Sequence, residues 1–205
     1  MLTFLLLAVL GYVLGSIPGG YIVGKGLKGI DVRKYGSGNI GATNVLRVIG
    51  KGPAFLAFLI DFGKGVAAIL IAEIFSPQAT PLITKSIAGL ACICGHNWSF
   101  FLKFRGGKGV ATSAGVFLVL TPLPFVFALL TMIAVVGITK YVSLGSIISA
   151  STLPFYIWTF MGKEHLTYSF LACIVAALII FRHSSNLKRL LSGEEHKLGE
   201  KVKTT

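Results

Sequence analysis

Acidic side chains are scarce in this sequence. Seven Asp and Glu stand against 19 Lys and Arg among 205 residues, so the formal net charge is +12 although only 13% of residues are charged. The basic residues must therefore cluster, and anionic lipid headgroups or anionic substrates are their natural partners. The few carboxylates are scattered and the histidines lack spacings such as His-Glu-x-x-His, so no metal and no cofactor is expected. Cysteine is equally sparse. Cys92, Cys94 and Cys173 all fall in apolar stretches, which excludes a disulfide framework and reads as buried, inert thiols. A Gly-x-Ser-x-Gly elbow is missing, and the glycine spacings match neither the Walker nor the dinucleotide fingerprint. No separate basic soluble domain is available to carry nucleic acid. No repeat, linker or low-complexity tract divides the chain, so 1–205 reads as one domain. The first segment, Met1 to Val23, has no basic n-region and runs too long for a cleavable signal, so it reads as a retained span.

Apolar residues, by contrast, are in excess. They make up 54% of the chain and the mean hydropathy is +0.82, beyond the roughly 45–50% apolar share typical of soluble domains. A bilayer core about 30 Å thick needs roughly 20 apolar residues per helix. Runs of that kind occur at about 2–24, 53–75, 81–100, 109–121, 123–139, 142–161 and 165–181. The fourth is short, and Thr121-Pro122-Leu123-Pro124 marks a turn that separates it from the fifth. Seven transmembrane helices put every basic residue except Lys64, Lys85 and Lys163 on one side. The positive-inside rule then places the N-terminus outside and the C-terminus in the cytoplasm. The polar tail, about 196–205, is expected to fray.

Three segments on the basic side are rich in Gly, Asn, Ser, Thr and His. In the first, Tyr35 to Arg47, glycines 36, 38 and 41 permit backbone N–H groups to converge on an anion. Ser37, Asn39, Thr43 and Asn44 add short donors, and Arg47 adds a planar cationic fork suited to phosphate. A glycine turn leading into an interfacial helix accounts for the same residues. In the second, Gly95 to Thr112, Arg105-Gly106-Gly107-Lys108-Gly109 runs straight into an apolar helix, as a phosphate cradle at a helix N-terminus would. Trp98 and Phe101 suit an aromatic belt at headgroup depth. In the third, Arg182 to Glu195, His183 and Asn186 share a helical face, with Arg182 and Arg189 nearby. His96 and His183 both stand beside cationic residues. Asp61 and Lys64 are the ionised pair within a hydrophobic run, serving either structure or the orientation of a basic residue of the site.

Taken together, these segments resemble the bacterial acyl-phosphate-dependent glycerol-3-phosphate acyltransferases, the PlsY family. Gly36 through Arg47, Gly95-His96 through Thr112, and Arg182-His183-Ser184-Ser185-Asn186 with Gly193-Glu194-Glu195 look like its three motifs in order. Ser16-Ile17-Pro18 and Asp61-Phe62-Gly63-Lys64-Gly65 also match. The resemblance implies an all-α enzyme of seven transmembrane helices in the bacterial cytoplasmic (inner) membrane, monomeric, with its site on the cytoplasmic side. It would move a fatty acyl group from acyl phosphate to the 1-hydroxyl of glycerol 3-phosphate, giving 1-acylglycerol 3-phosphate (lysophosphatidate), the first step of phospholipid synthesis. Its catalytic residues would be Ser37, Arg47, Lys108, His183 and Asn186. Gly38, Asn39, Thr43, Asn44, His96, Arg105, Gly106, Gly107 and Arg182 would hold substrate phosphates, and Glu195 would serve structure. Acyl phosphate is already activated, so direct attack needs neither metal nor enzyme nucleophile. His183 or a substrate phosphate oxygen would take the proton, and Ser37 as an acyl carrier is a weaker third route. Two competing classes are a transporter for organic phosphates and an acyl-CoA-dependent membrane O-acyltransferase.

Overall fold

The structure, a computed structural model, describes residues 1–200; those described residues contain helices and no strands. The chain runs α1 (Leu2–Ser16), α2 (Gly19–Lys28), α3 (Ala42–Val48), α4 (Lys51–Phe75), α5 (Pro81–Asn97), α6 (Val110–Leu120), α7 (Pro122–Thr139), α8 (Val142–Met161), α9 (Leu166–Arg182) and α10 (Ser184–Leu191). Among the described residues five stretches are long and apolar enough to cross a membrane: Leu2–Lys28, Lys51–Phe75, Pro122–Thr139, Val142–Met161 and Lys163–Arg182. The other two expected spans are helical but short. With 17 residues α5 rises about 25 Å, and with 11 residues α6 rises only about 16 Å, half a bilayer core.

The expected first span, 2–24, is broken in the structure. Pro18 has no N–H to donate, so the helix stops at Ser16 and restarts at Gly19. Carbonyls freed in an apolar setting need new donors. Here the Ser99 hydroxyl donates to Ser16 O at 2.5 Å, and the Lys64 ammonium donates to Ile17 O at 2.7 Å. The break is thus the place where α4 and α5 are tied to α1. Thr121 and Pro122 do form the expected reversal, with Pro122 opening α7.

Small residues let the helices approach closely. A Cβ on Gly15 of α1 would strike the Cys92 carbonyl of α5, and one on Gly115 of α6 would strike the Phe62 carbonyl of α4. Ile69, Ile93, Val116, Phe117, Leu153, Ile157 and Val175 form the main apolar core between α4, α5, α6, α8 and α9. A second cluster, with Val23, Val32, Ile40, Val45, Ala57 and Leu102, sits beneath the loop that joins α2 to α3. That loop carries the first polar motif, so its backbone rests on a packed floor.

The tail does not fray where it was expected to begin. The Arg47 guanidinium donates to His196 O at 3.2 Å, and Leu198 N–H donates to Lys140 O at 2.7 Å. Residues 196–198 therefore strap α3 to the α7–α8 turn. Residues 201–205 of that expected frayed segment lie outside the described residues.

Candidate active site

The three polar segments meet at one cavity of about 480 Å³. Ser37, Asn39, Thr43, Asn44, Arg47, His96, Lys108, His183 and Asn186 all line it. Its walls begin polar and cationic and end apolar at Phe125, Leu129 and Met132 of α7.

Asn44 builds the first wall. Its Oδ1 accepts from Ser37 N–H at 2.8 Å, and its Nδ2 donates to Val32 O, Tyr35 O and Asn39 O at 3.0, 3.2 and 2.8 Å. The amide's oxygen and nitrogen are both engaged within the loop, so Asn44 holds Ser37 at the cavity edge. Gly36 and Gly38 take φ of 59° and 71°, values open to glycine at little cost, which is how the loop turns twice in three residues. Asn39 Oδ1 likewise accepts from Gly41 N–H at 2.8 Å. Arg47, on α3, lies buried against the cavity, and burial disfavours its charge unless an anion compensates.

In the second wall the glycine backbone bonds within the protein. Gly107 N–H donates to His96 O at 2.9 Å. The Gly107 and Gly106 carbonyls accept from the Arg182 guanidinium at 2.9 and 3.3 Å. Arg182 also lies 5.6 Å from the Trp98 ring centroid, a cation–π contact. Gly106, Gly107 and Arg182 therefore form a latch that fixes the loop, and none of the three lines the cavity. Gly38 does not line it either, and Arg105 is exposed and outside the lining. Those five positions of the expected phosphate-binding set stand outside the cavity lining. What the latch presents is Lys108, with Gly109 at φ 84° starting α6 behind it. Val110 and Ala111 also face the cavity, and the first-turn N–H groups of a helix lack intrahelical partners.

The third wall is a bridge. Lys108 Nζ donates to Asn186 Oδ1. Asn186 Nδ2 donates to Glu195 Oε1 at 2.6 Å, where Ser143 Oγ also donates at 2.8 Å, and Arg189 Nε donates to Oε2 at 2.8 Å. Burial would push the Glu195 carboxyl up, but the hydrogen bonds from Asn186, Ser143 and Arg189 hold it below its ordinary value. His183 is buried, with Nδ1 2.8 Å from Ile179 O; a carbonyl can only accept, so Nδ1 carries the proton and Nε2 is left as a lone-pair acceptor. Burial, reinforced by the Lys108 charge, lowers its pKa to about 4, so the ring is neutral near pH 7. Burial also lowers Lys108 to about 8, with Glu195 opposing and Arg189, Arg47 and Arg182 adding to the effect. The cavity-lining cations Arg47 and Lys108 thus have no ion-pair partner among the described residues.

Ser143 and Ser146 of α8 line the cavity and were not singled out in the sequence. Their signal is faint, two serines three apart behind Lys140 and Tyr141 in an apolar run. A second, smaller cavity of about 70 Å³ shares Val110, Ala114, Phe125, Leu129, Met132 and Ser146 with the first and runs on to Phe117, Leu153 and Val175. Cationic and apolar ends are therefore continuous. That shape suits an amphiphile whose anionic head and hydrocarbon tail are bound together.

A family model for glycerol-3-phosphate acyltransferase matches residues 5–193. The chain belongs to that family. It is 44% identical over 196 residues to a glycerol-3-phosphate acyltransferase of Prochlorococcus marinus (strain MIT 9312), covering 96% of this chain and 98% of that protein. It is 47% identical over 204 residues to one from Shouchella clausii (strain KSM-K16), covering 98% and 99%. In three dimensions it resembles crystal structures of PlsY, an integral membrane glycerol 3-phosphate acyltransferase. The glycerol 3-phosphate form superposes with a TM-score of 0.87 at 39% identity, covering 96% of both chains. The lysophosphatidic acid form gives 0.85 at 38%, covering 96% and 95%. The acyltransferase is accordingly a multi-pass membrane protein.

Proposed function

We propose that this acyltransferase moves a fatty acyl group from acyl phosphate to the 1-hydroxyl of glycerol 3-phosphate, yielding 1-acylglycerol 3-phosphate and inorganic phosphate. The observation that carries the reading is the single cavity with Arg47 and Lys108 at one end and a wall of Phe125, Leu129 and Met132 at the other. Both substrates are anionic near the reacting carbon. Arg47 and Lys108 offset their mutual repulsion and hold the hydroxyl near the acyl carbonyl. Ser37, Thr43 and Asn186 lie close enough to orient oxygens of the two phosphates.

The glycerol 1-oxygen attacks the carbonyl carbon, a new C–O ester bond forms, and the acyl–phosphate C–O bond breaks. A ring with a pKa of about 4 is a feeble general base for an alcohol. His183 Nε2 instead accepts a hydrogen bond that orients the hydroxyl, and the proton passes to a phosphate oxygen of a substrate. We assign the acylation site to the cytoplasmic side of the bacterial inner membrane, with the N-terminus outside, seven membrane-entering segments and the whole chain acting as one monomeric unit among membrane lipids. The short α5 and α6 fit this reading when their polar ends reach the headgroup region, where the motif loops begin.

The test is an acylation assay on purified protein in lipid, with palmitoyl phosphate, palmitoyl-CoA or palmitoyl-acyl carrier protein and labelled glycerol 3-phosphate. Lysophosphatidate should form from acyl phosphate alone and be lost in Arg47→Ala. Product from the thioesters would replace the donor assignment, and no product from any donor would turn the reading toward organic phosphate transport.

A further inference from the structure

A buried polar cluster borders the cavity, which Asp61 and His96 help to line, and has no part in the steps above. Lys64 Nζ is 2.7 Å from Ile17 O, 2.8 Å from Asp61 Oδ1 and 2.9 Å from His96 Nδ1. Asp61, Lys64 and His96 are 1%, 5% and 3% exposed. An ammonium has three protons, and here all three have partners. Lys64 Nζ donates to Asp61 Oδ1 and stands nearer His96 Nδ1, at 2.9 Å, than Asp61 Oδ1 does, at 3.4 Å, so the contact to Nδ1 runs from the amine to the ring. A nitrogen that accepts is unprotonated. The proton of a neutral His96 ring therefore sits on Nε2, on the side where Gly107 packs so closely that a Cβ there would strike the ring.

We infer that Lys64, held by Asp61 and the Ile17 carbonyl, is a positioning residue that locks His96 as a neutral Nε2–H donor, and that this donor reaches a substrate oxygen in the cavity His96 lines. The inference rests on the acylation reading and deepens it. The site then contains two neutral imidazoles of opposite polarity. His183 is protonated on Nδ1 by its bond to Ile179 O and offers a lone pair. His96 is protonated on Nε2 by its bond from Lys64 and offers a hydrogen. One suits the hydroxyl that attacks; the other suits an oxygen that is negative already or becomes so. Which nitrogen carries the proton is set by the hydrogen bond at the other. The Gly107 latch has a second purpose in this arrangement, since a side chain at 107 would displace the ring whose proton the cluster has placed.

The deciding measurement is a long-range proton–nitrogen correlation spectrum of the full chain, labelled with 15N-histidine, in lipid nanodiscs. His96 should show the Nε2–H tautomer and His183 the Nδ1–H tautomer. In Lys64→Met, His96 should lose its single tautomer while His183 keeps its own. Kinetics give the second arm. His96→Phe should lower kcat/KM by about 100-fold, and His96→Gln, which keeps a neutral N–H donor, should stay within about tenfold of wild type. A raised KM for glycerol 3-phosphate places the partner oxygen on its phosphate; a lowered kcat at unchanged KM places it on the acyl carbonyl. A wild-type enzyme that turns over but shows His96 as Nδ1–H or imidazolium overturns the inference, as does Gln no better than Phe. A chain that makes no product overturns the acylation reading instead, while the tautomers stay readable.

Discussion

Lys64 and Lys108 are both withdrawn from solvent, yet they sit in opposite kinds of surroundings. Lys64 has Asp61, His96 and the Ile17 carbonyl for its three protons. Lys108 donates to Asn186 and otherwise faces the cavity, among Arg47, Arg182 and Arg189. The junction of α1, α4 and α5 is a closed polar knot; the junction of α3, α6 and α10 is an open one. A buried charge with every donor spent holds the fold and aims its neighbours. A buried charge with donors to spare, crowded by like charges, costs stability unless a ligand brings the missing anion. The contrast separates architecture from chemistry without reference to any relative.

The contrast breaks first if the open knot can be neutralised cheaply in function. Lys108→Met should lower kcat/KM for glycerol 3-phosphate by about 10³-fold, the upper end for losing one preorganised charge donor. Its melting temperature should not fall, because the deletion also relieves repulsion. A loss of folding with the loss of activity would show Lys108 to be part of the scaffold.

Lys64→Met should show the reverse weighting. It leaves Asp61 buried beside a neutral ring, and removing one partner of a buried ion pair costs about 3–5 kcal/mol. Adding Asp61→Asn removes the orphaned charge and should restore part of that stability in a thermal unfolding series in detergent. Equal melting temperatures for the single and double variants would mean that the pair is not coupled as the 2.8 Å contact indicates.

A smaller effect sharpens the same contrast by pH. Lys108 of the free enzyme titrates at about 8, so above that pH the ammonium loses its proton and the site loses a positive charge. With acyl phosphate fixed, kcat/KM for glycerol 3-phosphate should drop about tenfold per pH unit above that value, and this limb should vanish in Lys108→Arg, whose guanidinium stays charged. The second phosphate ionisation is largely complete at about pH 7, so between 7 and 9.5 the profile reports the enzyme. A profile flat to pH 9.5 in the wild type would place Lys108 in a better compensated setting than the geometry gives it.

Much of this arrangement was legible in the sequence, and the missing parts have physical reasons. Polar residues crowded on one side of an apolar chain announce a site, and Ser37, Thr43, Arg47, Lys108, His183 and Asn186 do reach one cavity. The break at Pro18 was visible as a residue but hidden by the hydrophobic run through it, because hydropathy does not register hydrogen bonds. Ser143 and Ser146 read as ordinary small residues of a membrane helix until the chain after α10 brings Glu195 onto the Ser143 hydroxyl. The path of the glycine loop is set by a related factor. Composition shows that N–H groups can converge, but only chain reversal onto His96 decides where the Gly107 N–H goes.

Arg105 gives the smallest prediction and the cleanest separation of charge from placement. It stands three residues before Lys108 in the same glycine-rich segment, expected to bind phosphate where Lys108 was expected to act in catalysis. The left-handed residues Lys103 and Phe104, at φ 53° and 62°, turn the chain so that Arg105 is exposed while Lys108 turns inward. An exposed cation contributes through a screened field, and single surface substitutions usually change free energies by no more than about 0.5 kcal/mol. Arg105→Ala should therefore leave kcat/KM within about twofold at 150 mM salt, since 0.5 kcal/mol is little more than a factor of two. A loss of tenfold or more would mean that the loop closes over the bound phosphates and brings Arg105 in, making the open knot a site completed by its ligand.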